Sequence, residues 1–283
     1  MNSATLALAL LCLAGVARPQ SLPPGEAPPE AVNLPGGVAN AAGTVLYLTS
    51  LWSGVVALDA QDGRVLWESK EAMHPLALVG KRLVALGGAR GQLRIAVLDA
   101  EGGSLAKESE PLAIPAWVDP RPHEDSSEAT THFGARAWAV DGGVRVQWSA
   151  RLSYSGGPNR GPPYPKGSPD HAFGTLEMDL ESCALRPLPN DGIGDALVFD
   201  EGVPVRHLPA QVHEAAKLGQ WESGRAIGGR AYGKCRRLVA GGSGARAKQV
   251  MFVQAVDLAT GKLLWERSYE EVPLGSPDAV RRP

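Results

Sequence analysis

The sequence predicts an all-β fold made of repeated, hairpin-sized antiparallel units. Three observations predict it. Short apolar runs rich in Val, Ile and Leu alternate with turn residues, and the 34 Gly and 23 Pro are spread between those runs rather than gathered into one tract. An Asp recurs at the same place in four windows of similar pattern. Hydrophobic residues make up 44% and charged residues 20%, so the chain can bury a core.

The N-terminus is read first. Residues 4–17 (ATLALALLCLAGVA) are apolar, too short a run to span a bilayer, and end in Gly15-Val16-Ala17. Small residues at that place fit a cleavage site, so residues 1–17 are expected to be a secretory signal peptide, although Met-Asn-Ser supplies no Lys or Arg before it. Leu11 precedes Cys12, whereas a lipidated cysteine wants a small residue there. Residues 18–36 are Pro-rich and read as an extended linker or lead-in, because Pro fixes φ and removes amide donors. The domain proper is expected over residues 37–283, with a Pro-rich surface insertion at 155–170. The chain is therefore expected in the periplasm or secreted, as a monomer, with no transmembrane segment once the leader is removed. A net charge of −2 with interspersed signs excludes a nucleic-acid footprint. The two remaining cysteines, Cys183 and Cys235, either pair in an oxidising compartment or stay as thiols.

The repeats are read in 15-residue windows: GVVALDAQDGRVLWE (54–68), RIAVLDAEGGSLAKE (94–108), GTLEMDLESCALRPL (174–188) and FVQAVDLATGKLLWE (252–266). The sixth position is Asp59, Asp99, Asp179 and Asp257, at steps of 40, 80 and 78 residues. Each window is a strand, a tight turn and a second strand; Asp62-Gly63 and Thr260-Gly261 supply the turn chemistry. A further strand lies upstream of the first two windows, at Thr44–Ser50 and Arg82–Leu86, and an inner fourth is expected in each unit. Ala135–Val140 and Val144–Leu152 alternate as a strand pair that would complete the third window's unit across the insertion. Ala196–Phe199 and Arg237–Ala240 are weaker strand candidates, and His213–Leu218 a short helical turn. One such unit leaves apolar surface bare, and stacking units about an axis buries it.

The pattern Leu58-Asp59-Ala60, Gly63, Leu66-Trp67-Glu68, repeated as Asp257-Leu258, Gly261, Leu264-Trp265-Glu266, resembles the PQQ-like repeat of quinoprotein β-propellers. The second window keeps Leu98-Asp99-Ala100 but has Lys107 in place of the Trp. The resemblance implies a β-propeller of about five blades, within a range of four to six. Gly275–Val280 resembles the start of a further blade, and closure of the wheel by the C-terminal strand on the first blade is an alternative.

Asp59, Asp99, Asp179 and Asp257 are read as turn caps rather than catalytic carboxylates, since each ends a strand just before a turn. Trp67 and Trp265 are read as structural, because the resemblance implies packing between blades. Trp52, at a strand end where propellers expose loops, is the preferred aromatic of a binding surface. No pair among the six His has the spacing of a helical zinc site, and there is no CxxC, nucleophile elbow or P-loop. No catalytic residue, metal or cofactor is therefore expected. The leading expectation is a non-catalytic envelope propeller that binds or scaffolds a periplasmic or extracellular protein partner. The alternatives are a PQQ- and Ca-dependent dehydrogenase, for which no ligand position can be matched, and a carbohydrate-binding propeller using Trp and Tyr as stacking surfaces.

Overall fold

The computed structural model describes residues 31–34, 36–50, 54–121, 129–154, 171–189, 203–204, 221–239, 248–268 and 280–281. They form four antiparallel sheets, and no helix occurs among them. Blade 1 runs in order through β1 (Ala31–Leu34), β2 (Gly37–Asn40), β3 (Val45–Ser50), β4 (Gly54–Asp59) and β5 (Val65–Ser69). Its first strand lies inside the Pro-rich stretch, so the lead-in already pairs with the sheet. Blade 2 orders β6 (His74–Val79), β7 (Arg82–Ala89) and β8 (Gln92–Asp99); β9 (Leu105–Glu108) and β10 (Leu112–Ala113) both pair with β8.

Blade 3 is β11 (Ala129–Val140), β12 (Gly143–Tyr154), β13 (His171–Asp179) and β14 (Leu185–Leu188). The strand pair expected from alternation is thus the inner half of the third window's blade, since β12 runs from Gly143 beside Asp179 to Arg151 beside His171. Blade 4 is β15 (Val203–Pro204), β16 (Trp221–Ile227), β17 (Arg230–Val239), β18 (Lys248–Asp257), β19 (Leu263–Ser268) and β20 (Val280–Arg281).

The described sheets number four, within the expected range of four to six. The long Asp-to-Asp steps hold enlarged blades, with twelve-residue β11 and β12 in one and ten-residue β17 and β18 in the other. Of the tail only Val280 and Arg281 are described, and the rest of Gly275–Val280 lies outside the described residues. Val280 and Arg281 pair with Arg267 and Glu266 at the outer edge of blade 4. Ala196–Phe199 and the helical turn at His213–Leu218 lie outside the described residues.

Three apolar layers join the blades. Leu46 and Leu58 of blade 1 pack with Tyr232, Val253, Ala255 and Trp265 of blade 4. On its other side blade 1 sets Val38, Tyr47 and Ala57 against Leu83, Ala85 and Leu98 of blade 2. Blade 2 then sets Leu86, Ile95 and Val97 against Val144, Trp148 and Met178 of blade 3. The blades therefore follow one another as 4–1–2–3, with strands buried on both faces in the two middle blades. That explains their near-continuous apolar runs, such as LRIAVL at 93–98.

Candidate functional site

The four repeat turns share one geometry. Asp59, Asp99, Asp179 and Asp257 end β4, β8, β13 and β18, the strand before the repeat turn in each blade. Each backbone carbonyl accepts from the amide four residues on: Gly63 (2.9 Å), Gly103 (2.8 Å), Cys183 (2.9 Å) and Gly261 (2.8 Å). The carboxylates accept from turn amides as well: Asp59 from Gln61 (2.7 Å), Asp99 from Gly102 (2.8 Å), Asp179 from Ser182 (2.7 Å) and Asp257 from Thr260 (2.7 Å). The hydroxyls of Ser182 and Thr260 add a second donor to Asp179 and Asp257, and these bonds hold both carboxyls below the usual Asp range.

The residue four after the Asp has positive φ in every blade, +72° at Gly63, +73° at Gly103, +57° at Cys183 and +69° at Gly261. Cys183 is the single non-Gly residue with positive φ among the described residues. The tryptophans explain where Gly is needed. A Cβ on Gly103 would lie 2.3 Å from the Trp67 ring, and one on Gly63 would lie 2.8 Å from the Trp265 ring. Each indole also donates Nε1–H to a backbone oxygen of the blade it covers: Trp67 to Ala100 at 3.0 Å, Trp265 to Ala60 at 3.1 Å. So blade 1 is clasped onto blade 2, and blade 4 onto blade 1.

The side chains flanking this clasp form a row across three strands. It reads Tyr47–Ala57–Trp67 in blade 1, Val84–Val97–Lys107 in blade 2, Arg145–Glu177–Arg186 in blade 3 and Tyr232–Ala255–Trp265 in blade 4. In blade 2, Lys107 reaches forward and donates to the Glu181 carbonyl of blade 3, so Cys183 can stand where a ring would demand Gly. In blade 3 the row is polar. Arg145 and Arg186 bind the two oxygens of Glu177 at 2.8 and 2.5 Å, which holds the Glu177 carboxyl below its usual range. On the same face Arg136 donates to Gln147 (2.8 Å) and sits 6.0 Å from the centroid of Trp138, which is 38% exposed.

Among the expected site residues, the four Asp and two Trp occupy these turns and clasps. Trp52 lies outside the described residues. No disulfide joins Cys183 and Cys235; the first packs in the layer between blades 2 and 3, the second on the far face of blade 4. The Arg136, Arg145, Glu177 and Arg186 surface was not singled out from sequence. Its signal is the alternation of β12, where Val144, Val146, Trp148 and Ala150 face blade 2 and Arg145, Gln147, Ser149 and Arg151 face away. Among the described residues no group of His, Cys, Asp and Glu could hold a metal ion, and no helix is long and apolar enough to cross a membrane.

Antiparallel blades, each with its Asp turn, and Trp clasps on two of them, define the class: the fold is that of a β-propeller whose repeats resemble PQQ-like blades. Residues 18–153 match the family described as outer membrane protein assembly factor BamB. That match reaches from the lead-in through blades 1 and 2 to β12. Three solved structures are similar: BamB from Moraxella catarrhalis (12% identity, 83% of this chain, 53% of that chain, TM-score 0.28), the Dos1 propeller (10%, 80%, 44%, 0.30) and the computationally designed Ika8 protein (10%, 79%, 46%, 0.25). The chain spans about half the length of these structures. No curated protein matches the chain.

Proposed function

We propose that this chain is a non-catalytic, exported propeller that binds or scaffolds a protein partner in the cell envelope. The observation that carries the reading is the face of blade 3. The forward faces of blades 4, 1 and 2 are closed by apolar layers, whereas that of blade 3 carries an exposed Trp138 beside Arg136 and a charged Arg145–Glu177–Arg186 row. Trp and Arg are the residues most enriched where protein partners anchor, because each offers a large contact area with a directional polar end. The BamB description of the family matching residues 18–153 supports both the partner class and the envelope setting.

The test is affinity capture of the native protein from the envelope of its source cell, alongside an Arg136→Ala, Trp138→Ala variant. The expected result is a reproducible partner whose recovery falls at least tenfold in the variant while the protein itself stays colourless. Equal recovery with both forms sinks the site, and a bound quinone chromophore sinks the non-catalytic reading.

A further inference from the structure

One row of side chains crosses each blade on its forward face, the face that in blades 4, 1 and 2 meets the next blade. In blade 1 the row is Val38–Tyr47–Ala57–Trp67, and in blade 2 it is Ala77–Val84–Val97–Lys107. Val38, Tyr47, Ala57, Ala77, Val84 and Val97 are buried in the apolar layers between blades. In blade 3 the same row is Trp138–Arg145–Glu177–Arg186, running from β11 to β14. Trp138 and Arg186 are exposed, and Arg145 and Glu177 are half-buried.

The charges on this face are one-sided. From the row inward to Arg151, the forward positions of β11–β14 carry Arg136, Arg145, Arg151 and Arg186 against Glu177 alone. Four positive charges against one negative leave an excess of three. Asp179 lies beyond the row, and its carboxylate accepts from the Glu181 and Ser182 amides of its own turn. The guanidiniums beside Trp138 are also held in place. Arg136 Nε donates to Gln147, itself buried, while Arg145 and Arg186 each donate from one Nη2 to Glu177. A guanidinium has five N–H donors, so one such bond fixes its direction and leaves others for a second acceptor. Cations already positioned in this way bind a carboxylate at less entropic cost than free ones.

We propose that this face of blade 3 receives an extended acidic segment of another protein, with carboxylates on Arg136, Arg145 and Arg186 and an apolar side chain on Trp138. Charge complementarity selects the occupant: the excess positive charge attracts an acidic segment and repels a basic one or the same face of a second copy. Neighbouring strands lie about 4.8 Å apart, so Arg145 on β12 and Arg186 on β14 stand about 10 Å apart, the span of about three residues of extended chain. Glu177 aligns both cations and at the same time lowers the charge that the partner meets. This names the partner chemistry of the protein-binding reading above and rests on it.

The experiment uses the full chain and a rhodamine-labelled peptide, Glu-Ser-Leu-Glu-Ser-Leu-Glu-Ser-Leu-Glu. Anisotropy should show saturable binding that weakens at least about tenfold when Lys replaces Glu in the peptide, or when the protein carries Arg136→Glu and Arg186→Glu. Both positions are exposed, so these changes leave the core intact. Glu177→Gln keeps an acceptor oxygen for the arginines and removes the opposing charge, so it should tighten binding by roughly threefold. That gain cannot come from a variant that fails to fold. Raising salt from about 50 to about 300 mM should weaken binding. Absence of saturable binding, equal binding by the arginine variant, or weaker binding by Glu177→Gln overturns the proposal. Tighter binding to vesicles of anionic lipid than to the peptide overturns the assignment to a protein, and self-association that Glu177→Gln strengthens overturns the assignment to a foreign segment. Partner capture that needs Trp138 but is unchanged by both the arginine variant and Glu177→Gln sinks the acidic occupant while leaving the protein-binding reading intact.

Discussion

Gly103 shows how a single residue ties one blade to the next. It must adopt φ +73°, and it must leave room for the Trp67 ring 2.3 Å from where a Cβ would stand. Gly80 has φ +58° with no atom within 4 Å of that place, so it carries the backbone demand alone. Gly103→Ala is therefore expected to destabilise the protein by about 1–3 kcal/mol more than Gly80→Ala, through overpacking. Urea denaturation of the two variants checks this. Trp265 separates the two parts of a clasp in the same way. Trp265→Phe loses the N–H bond to Ala60 and costs roughly 1 kcal/mol, whereas Trp265→Ala also loses a fully buried ring and costs roughly 3–5 kcal/mol.

His74 is the residue that sets the response to pH. Its Nε2–H donates to the Pro120 carbonyl at 2.5 Å, Nδ1 lies 3.5 Å from the Thr49 hydroxyl, and the Phe133 ring is 5.6 Å away. Burial pushes its pKa down, against a smaller upward pull from the Pro120 carbonyl. The unfolded chain then binds the proton more readily than the folded one, so stability falls as pH drops below about 6.5. Asp179 and Asp257, held low by turn donors, add a second loss only as pH falls below about 4. Denaturation from pH 8 to pH 5 should show a decline that His74→Gln flattens.

At the scale of elements, the joint between blades 2 and 3 is a compensated version of the Trp clasp. Lys107 replaces the ring, and Cys183 replaces the glycine beneath it. Lys107→Trp alone drives an indole into the Cys183 side chain. With Cys183→Gly the seat regains the form it has on blades 1 and 2. The double variant should be more stable than the sum of the two single changes by about 0.5–3 kcal/mol, read from a double-mutant cycle in denaturant. Additive effects would show that the two positions do not meet. The register of the fourth strand belongs to this scale too: in blade 3, pairing without a shift puts Arg186 and Glu177 on the face where the other blades place Trp or Lys.

At the scale of the whole molecule, the contact between blades 4 and 1 joins residues 205 apart in sequence, through Trp265 and Ala60. Stacked repeats gain stability from neighbour interfaces, so a blade with one weakened joint opens before the rest. Among the described residues blade 4 meets blade 1 through one apolar layer, while blade 2 is held by such layers on both faces. Hydrogen exchange should therefore be faster in β17 and β18 than in β7 and β8. Trp265→Ala should widen that difference, and uniform acceleration across all four sheets would argue for a single cooperative unit.

Local chemistry was legible in the sequence by itself: the four Asp turns, the strands that flank them, the paired alternation of β11 and β12, and the two tryptophans. These follow from periodicity and turn residues, which act over a few positions. The tertiary structure decided what depends on distant partners. It set the described sheets at four, within the expected range of four to six, because two long repeats are enlarged blades. It also decided which side chains face forward, since a one-residue register shift is invisible in a window of sequence yet moves a side chain to the opposite face of a sheet. Cys183 marks the boundary between the two. The sequence shows a cysteine where other repeats have glycine, and only the neighbouring blade, with Lys107 in place of an indole, shows why it is tolerated.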